Sequence, residues 1–115
     1  MKKLFVIAAL GFCLFGCSKA LKSGISKDSV TINNKAIEEV KSGDRQAALA
    51  DFNKAINLDP NFARAYSHRG RLKYDLGDKQ GALVDLKKAA ELYKQQGKMD
   101  KYDKVMSKIE EINNQ

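Results

Sequence analysis

An internal repeat with a period of 34 residues is the feature that most limits the folds open to this chain. Residues 43–58 and 77–92 are identical at nine of sixteen aligned positions. Each segment opens with Gly-Asp, in which glycine accepts the left-handed backbone that ends one helix and aspartate caps the next. The apolar residues that follow recur at the spacing of one helical face. The sequence therefore predicts two copies of a helix, a turn and a second helix.

The composition favours the same class of fold. The 115 residues include thirteen Ala, eleven Leu and seventeen Lys, against one Pro and no Trp. These abundant residues lose little side-chain freedom on a helix, and almost nothing in the chain interrupts one. The predicted fold class is therefore all-α, and a β-sandwich or barrel is excluded.

A unit of this length, built from helix, turn and helix, resembles the tetratricopeptide repeat. The second unit, residues 63–94, has Tyr66 and Gly70 where this family places an aromatic and a small residue on its first helix. The first unit ends in the family's usual junction, Asp-Pro-Asn at residues 59–61, because proline cannot continue a helix. The resemblance covers residues 30–94 and implies two tetratricopeptide repeats, a fragment of an α-solenoid.

Charged residues depart from the family pattern on both first helices. Lys35 and Arg69 stand where the family usually has leucine, and Glu39 and Lys73 where it usually has an aromatic residue. Long side chains can lie along apolar surface with their charged heads in water. We therefore expect these residues to be solvated at their ends.

A fifth helix is predicted from about Met99 to Ile112, after a stop at Gly97. Its apolar residues fall on one side and are Met99, Tyr102, Val105, Met106, Ile109 and Ile112. A repeat array needs a one-sided helix to cover its last apolar face, so we interpret this segment as a C-terminal capping helix. The alternative interpretation is a groove-binding or dimerising surface.

The N-terminus has the pattern of an export signal. Lys2 and Lys3 precede an apolar run of twelve residues, which is too short to span a bilayer comfortably. The run leads into Leu-Phe-Gly-Cys-Ser at residues 14–18, which resembles the lipobox of bacterial lipoproteins. The resemblance implies cleavage before Cys17 and lipidation of its thiol. A plain secretory signal or an uncleaved anchor is the alternative.

Three parts follow from these predictions. Residues 1–16 are a lipoprotein signal peptide, residues 17–28 are the acylated cysteine and a flexible tether, and residues 29–115 are the repeat domain with its capping helix. The acyl chains would hold the protein at a membrane. Ser18 does not resemble the aspartate that retains many such lipoproteins in the inner membrane, so the periplasmic face of the outer membrane is favoured in a cell that has one.

The sequence carries no recognisable catalytic or metal-binding pattern. His68 is the only histidine, and no Gly-rich phosphate loop, zinc-spaced Cys/His set or serine elbow occurs. The formal charge of +7, which becomes +5 without the two lysines of the signal, is too diffuse to imply nucleic acid. We therefore expect no enzyme activity, no cofactor, no metal and no nucleic-acid partner.

The family resemblance implies that the first helix of each repeat lines a concave groove that binds a protein or peptide. Aligned with the family, the residues that point into it are Asn33, Asn34, Ile37, Lys41, Arg64, Ser67, His68, Arg71 and Asp75. Helical spacing alone also puts Arg64, His68, Arg71 and Asp75 on one stripe of their helix. The alternative interpretation is that this stripe is only the polar face of an amphipathic helix. Asn and Arg suit an extended peptide, because Asn pairs with backbone amides and Arg can hold a carboxylate.

The predicted function is that of a membrane-anchored adaptor or assembly factor at the bacterial envelope. It would bind a partner protein or peptide in the groove. The alternative is a structural lipoprotein that associates weakly with itself and has no groove ligand.

Overall fold

The computed structural model describes residues 26–115, which form five consecutive α-helices and no strand. In chain order the helices are α1 (Lys27–Lys41), α2 (Arg45–Leu58), α3 (Ala63–Asp75), α4 (Lys79–Gln95) and α5 (Met99–Asn113). The predicted all-α class is confirmed. Cys17 and the predicted signal peptide lie outside the described residues. Helix α1 begins two residues before the predicted start of the repeat domain, with the Ser26 hydroxyl accepting a hydrogen bond from the Asp28 amide.

The helices pack as two hairpins and a final helix. Helix α1 packs on α2, and α3 packs on α4. A smaller contact between α2 and α3 joins the hairpins, and α5 lies against α4. Each helix therefore contacts mainly its neighbours in the sequence, as in a repeat array.

The Gly-Asp turns have the conformation predicted for them. Gly43 and Gly77 have φ of +90° and +91°, a region that glycine adopts without steric cost. The Asp44 carboxylate accepts a hydrogen bond from the Ala47 amide at 3.3 Å, and the Asp78 carboxylate accepts one from the Gly81 amide at 2.9 Å. The repeated dipeptide therefore ends one helix and caps the next in both hairpins.

The largest cluster of buried apolar residues joins the second hairpin to α5. It is formed by Ala63, Ala82, Leu83, Leu86, Ala89, Ala90, Leu92, Tyr93, Val105, Ile109 and Ile112. Close helix approach explains why small residues recur in it. A methyl group added at Gly70 would lie 3.1 Å from the Ala82 carbonyl oxygen, so a larger residue there would push α3 and α4 apart.

Helix α5 covers α4 with part of its predicted apolar stripe. Val105, Ile109 and Ile112 are buried and Tyr102 is half-buried. Met99 and Met106 are instead exposed, at 47% and 39%. Met106 follows Val105 directly, and one residue turns the chain by about 100° around a helix, which directs the methionine away from α4.

Ion pairs between the two helices of each hairpin explain the charged departures from the family pattern. The Arg69 guanidinium donates two hydrogen bonds to the Asp85 carboxylate at 2.8 and 2.7 Å, and Lys73 Nζ lies 3.1 Å from the same group. The Asp85 side chain is only 3% exposed. The expectation of solvated ends is therefore wrong for Arg69 and Lys73, because a buried carboxylate holds their charged heads.

The first hairpin repeats this ion pair 34 residues earlier in a more open form. Lys35 Nζ lies 3.0 Å from Asp51 Oδ2, with the lysine side chain 67% exposed. The hydrogen bond to Lys35 lowers the pKa of Asp51. Glu39 takes the place of Lys73, and burial followed by the nearby Asp51 carboxylate raises the pKa of Glu39.

Candidate partner-binding groove

A groove of about 660 Å³ opens between α3 and the start of α5. Its lining comes from α1, from α3 and the residue before it, from the end of α4 with the connection into α5, and from α5 itself. The lining residues are Val30, Phe62, Ala63, Arg64, Ser67, His68, Arg71, Tyr93, Gln96, Lys98, Lys101, Lys104 and Val105. We call this set the groove.

Helical periodicity brings the polar residues of α3 to one side of the groove. Arg64, Ser67, His68 and Arg71 are spaced at i, i+3, i+4 and i+7, which places them on one helix face. The opposite side also uses residues that recur on one helix face. Lys98, Lys101, Lys104 and Val105 follow at i, i+3, i+6 and i+7 from the N-cap position of α5.

The nine residues predicted for this groove divide into two sets. Arg64, Ser67, His68 and Arg71 line it. The other five, Asn33, Asn34, Ile37, Lys41 and Asp75, do not. From α1, the groove receives only Val30, which the family alignment did not select.

The five predicted residues that do not line the groove differ in burial and contacts. Asn33 is fully buried in α1, and Ile37 is half-buried against the cluster around Phe52. Lys41 is paired with Glu38 at 2.9 Å in the last turn of α1. Asn34 and Asp75 are exposed on their helices. Contact of these five residues with a partner stays a prediction.

The floor of the groove is apolar. Phe62, Ala63, Tyr93 and Val105 are each less than a tenth exposed. Burial raises the pKa of the Tyr93 phenol, with the nearby Arg64 acting in the opposite direction. A ligand that enters the groove therefore meets buried apolar surface between charged walls.

His68 lies between the apolar interior and the groove. Its ring stacks on Phe52 with centroids 5.9 Å apart and planes 3° from parallel. Burial, followed by repulsion from Arg64 and Arg71, lowers the pKa of His68 to about 4. The imidazole is therefore neutral near pH 7, and the positive charge of the groove comes from arginine and lysine.

Five cations line the groove, and none of the lining residues is acidic. These cations are Arg64, Arg71, Lys98, Lys101 and Lys104. None of the five forms an ion pair within residues 26–115. An adjoining recess of about 280 Å³ shares Arg71 and Lys104 and adds Lys108, which Glu111 neutralises at 2.8 Å.

The cations of α5 were not predicted, although the repeat period contains the signal for two of them. Adding 34 to Arg64 and Ser67 gives Lys98 and Lys101, and subtracting 34 from Arg64 gives Val30. All three line the groove. The N-terminal part of α5 therefore occupies the place of a first helix in a third repeat.

The groove has the chemistry of a binding site. Its lining offers cationic donors, the hydroxyls of Ser67 and Tyr93, the amide of Gln96, one neutral imidazole and an apolar floor. Within residues 26–115 no three His, Cys, Asp or Glu side chains come together in a way that could hold a metal ion. None of the helices in that same range has the length and apolar character required to cross a bilayer.

Comparison with known protein families gives two adjacent matches. A family model described as "TPR repeat" matches residues 36–77, and one described as "Tetratricopeptide repeat" matches residues 63–96. Together they span the two hairpins from the middle of α1 to the end of α4. No curated protein matches the sequence.

Solved structures share the fold. A tetratricopeptide repeat domain protein from Salinibacter ruber matches over 76% of this chain, both as a solution NMR structure and as a crystal structure. The TM-scores are 0.71 and 0.72 at 22% identity, and 89% and 98% of the respective chains are covered. The Sgt2 TPR domain from Aspergillus fumigatus matches with a TM-score of 0.56 at 26% identity, over 76% of this chain and 60% of the other.

Proposed function

Because this chain belongs to the tetratricopeptide repeat family, we propose that it binds a partner protein or peptide in the groove. Repeats of this family generally serve as protein-interaction modules without enzyme activity. The observation that carries the proposal is the groove itself, in which five unpaired cations surround a buried apolar floor.

Reversing charge in the groove tests this function. We expect Arg64→Glu with Arg71→Glu to abolish recovery of the native partner by crosslinking and mass spectrometry in the cells that make the protein. Both side chains are exposed and neither is in an ion pair within the described helices, so helicity and melting temperature should change little.

A matched control separates the groove from a general effect of charge. Lys79→Glu with Lys87→Glu makes the same charge change at two exposed positions of α4 that do not line the groove. Equal loss of the partner with both double variants would indicate diffuse attraction to an acidic surface and contradict the proposal.

We propose that the module is held at a bacterial membrane by lipid on Cys17, as an adaptor or assembly factor of the cell envelope, with the periplasmic face of the outer membrane favoured. The support is the lipobox-like sequence at residues 14–18. Cys17→Ala should block incorporation of a clickable fatty acid and leave a larger, unprocessed precursor. Equal labelling of Cys17→Ala and the unchanged protein would exclude this attachment site.

Self-association without a groove ligand is the second candidate function. The feature that favours it is the outer face of α5, where Met99 and Met106 are exposed. Light scattering after size-exclusion chromatography of the full chain in detergent tests self-association against partner binding by a single copy. A single copy per particle at micromolar concentration would contradict self-association.

A further inference from the structure

The excess positive charge of the described domain is concentrated in the groove. Residues 26–115 contain seventeen Lys and Arg against fourteen Asp and Glu. Five of the seventeen line the groove, which leaves twelve against fourteen over the rest of the domain. The surface outside the groove is therefore slightly acidic, and the groove is a localised cationic site.

The described structure and the N-terminal sequence supply no ion-pair partner to these five cations. They form no ion pair within the described helices, and the first acidic residue of the whole chain is Asp28. Residues 1–25 therefore carry no side-chain carboxylate. The predicted tether instead carries Lys19 and Lys22, which the cations of the groove would repel. The groove is therefore open to an anionic ligand from another molecule.

The shape and floor of the groove favour a polypeptide over other anions. The cations surround a recess between α3 and α5 whose floor is buried apolar surface, including Phe62, Tyr93 and Val105. A lipid bilayer presents a plane of headgroups, and the phosphate backbone of a nucleic acid would leave the apolar floor uncovered. An extended peptide in which acidic and apolar side chains alternate directs its two kinds of side chain to opposite sides. It can satisfy both the cations and the floor.

We propose that the groove holds an extended acidic segment of the partner, with internal carboxylates on the cations of α3 and α5 and apolar side chains on the floor. This inference rests on the proposed function and specifies the ligand. Arg64 and Arg71 are suited to bidentate hydrogen bonds with carboxylates. The lysines of α5 supply point charges on the facing side.

The test uses a labelled probe and the full chain in a nonionic detergent. The probe is a fluorescein-labelled peptide of alternating Glu and Leu, capped at both ends so that it has no terminal carboxylate. Its twin has Gln in place of every Glu. We expect fluorescence anisotropy to show binding of the Glu peptide that weakens with added salt, and at least about tenfold weaker binding of the Gln peptide.

Variants on both walls locate the contact. Arg71→Glu with Lys104→Glu changes one cation on α3 and one on α5, and should weaken binding of the Glu peptide by at least about tenfold. Lys79→Glu with Lys87→Glu should leave it within about twofold. Equal binding of the two peptides, or equal effects of the two double variants, would overturn the inference.

His68 gives an independent reading of the same contact, because it is the only histidine of the chain. Its imidazole NMR signals titrate separately, and a carboxylate beside Arg64 and Arg71 should move its pKa upward. An unchanged pKa with the Glu peptide bound would place that peptide outside the groove.

Two further outcomes separate this inference from the proposed function. Loss of the native partner in Arg64→Glu with Arg71→Glu, without binding of the Glu peptide by the unchanged protein, would leave the groove as the partner site and exclude an acidic ligand. Binding of phosphatidylglycerol vesicles that depends on Arg71 and Lys104, with no binding of the Glu peptide, would assign the groove to a lipid headgroup instead.

Discussion

Individual charged side chains have opposite fates in this molecule, depending on whether the fold supplies a partner. Asp85 is buried and holds Arg69 and Lys73. His68 faces two arginines and has no acidic neighbour among the residues that line the groove. The first arrangement stabilises charge inside the hairpin, and the second disfavours charge on the imidazole.

The low pKa of His68 predicts a pH dependence of stability. The unfolded chain takes up a proton near pH 6.5, whereas the folded protein does so only near pH 4. The contribution of His68 to the free energy of unfolding is therefore fully present above pH 6.5. It is lost as the pH falls from 6.5 to about 4, and the loss is about 2 kcal/mol after allowance for solvent screening. Urea unfolding of the unchanged protein across this pH range should show the loss of stability, and His68→Gln should show a smaller loss over the same range. Parallel curves for the two proteins would contradict the prediction.

Removing the buried carboxylate should cost more than removing its counterpart in the first hairpin. Asp85→Asn leaves Arg69 and Lys73 partly buried without a counter-charge, so we expect a loss of about 3 kcal/mol in the free energy of unfolding. Asp51→Asn should cost less, because Lys35 is 67% exposed and can turn to water. Chemical denaturation of both variants makes the comparison. An equal effect would mean that the two ion pairs have the same environment.

At the scale of helices, the 34-residue period predicted the two hairpins and their turns, and the apolar spacing predicted α5. Those features depend on local geometry, and the residues that determine this geometry recur at fixed spacing in the sequence. Burial at single positions was less predictable. Asn33 and Ser67 occupy equivalent repeat positions, yet Asn33 is fully buried and Ser67 lies half-buried in the groove. Periodicity predicts the direction in which a side chain points from its helix axis. Whether that side chain is buried depends on how the neighbouring helices pack over it.

The placement of groove cations on α5 was missed for a related reason. Both interpretations of the helix, as a cap or as a binding surface, used its apolar side, so its polar side was not aligned with the first helices of the repeats. The structure gives α5 two faces with different tasks: Ile109 covers α4, and Lys101 lines the groove.

The packing of α3 against α4 predicts which alanines tolerate enlargement. Ala82 is fully buried, and its carbonyl oxygen lies beside the position that a methyl group at Gly70 would fill. Ala82→Leu should destabilise by about 1–3 kcal/mol through overpacking. Ala50→Leu, at an exposed position of α2, should be nearly neutral. Thermal melts that show equal shifts would mean that the repeat register is wrong.

For the molecule as a whole, stability depends on the last helix. Val105, Ile109 and Ile112 belong to the same buried cluster as α4. Burial of an aliphatic side chain contributes about 1.5–3 kcal/mol, so the three together account for about 5 kcal/mol or more. That is comparable with the whole stability of a small domain.

Removal of α5 should therefore unfold the chain or cause it to aggregate. A chain that ends at Gln96 should lose its cooperative melting transition in circular dichroism. Met99→Gln with Met106→Gln, which changes only exposed positions of the same helix, should melt close to the unchanged protein. A truncated chain that melts normally would show that α5 is not a cap.

The row formed by Val30, Arg64 and Lys98, one residue from each successive first-helix position, makes the two ends of the groove unlike. At α1 the row offers an isopropyl group, and from α3 onward it offers positive charge. An extended peptide with apolar residues at one end and carboxylates at the other fits this row in only one direction, because only that direction brings its apolar residues to Val30 and its carboxylates to Lys98. A partner bound as proposed would therefore have one preferred direction along the groove and would leave the protein toward a defined end.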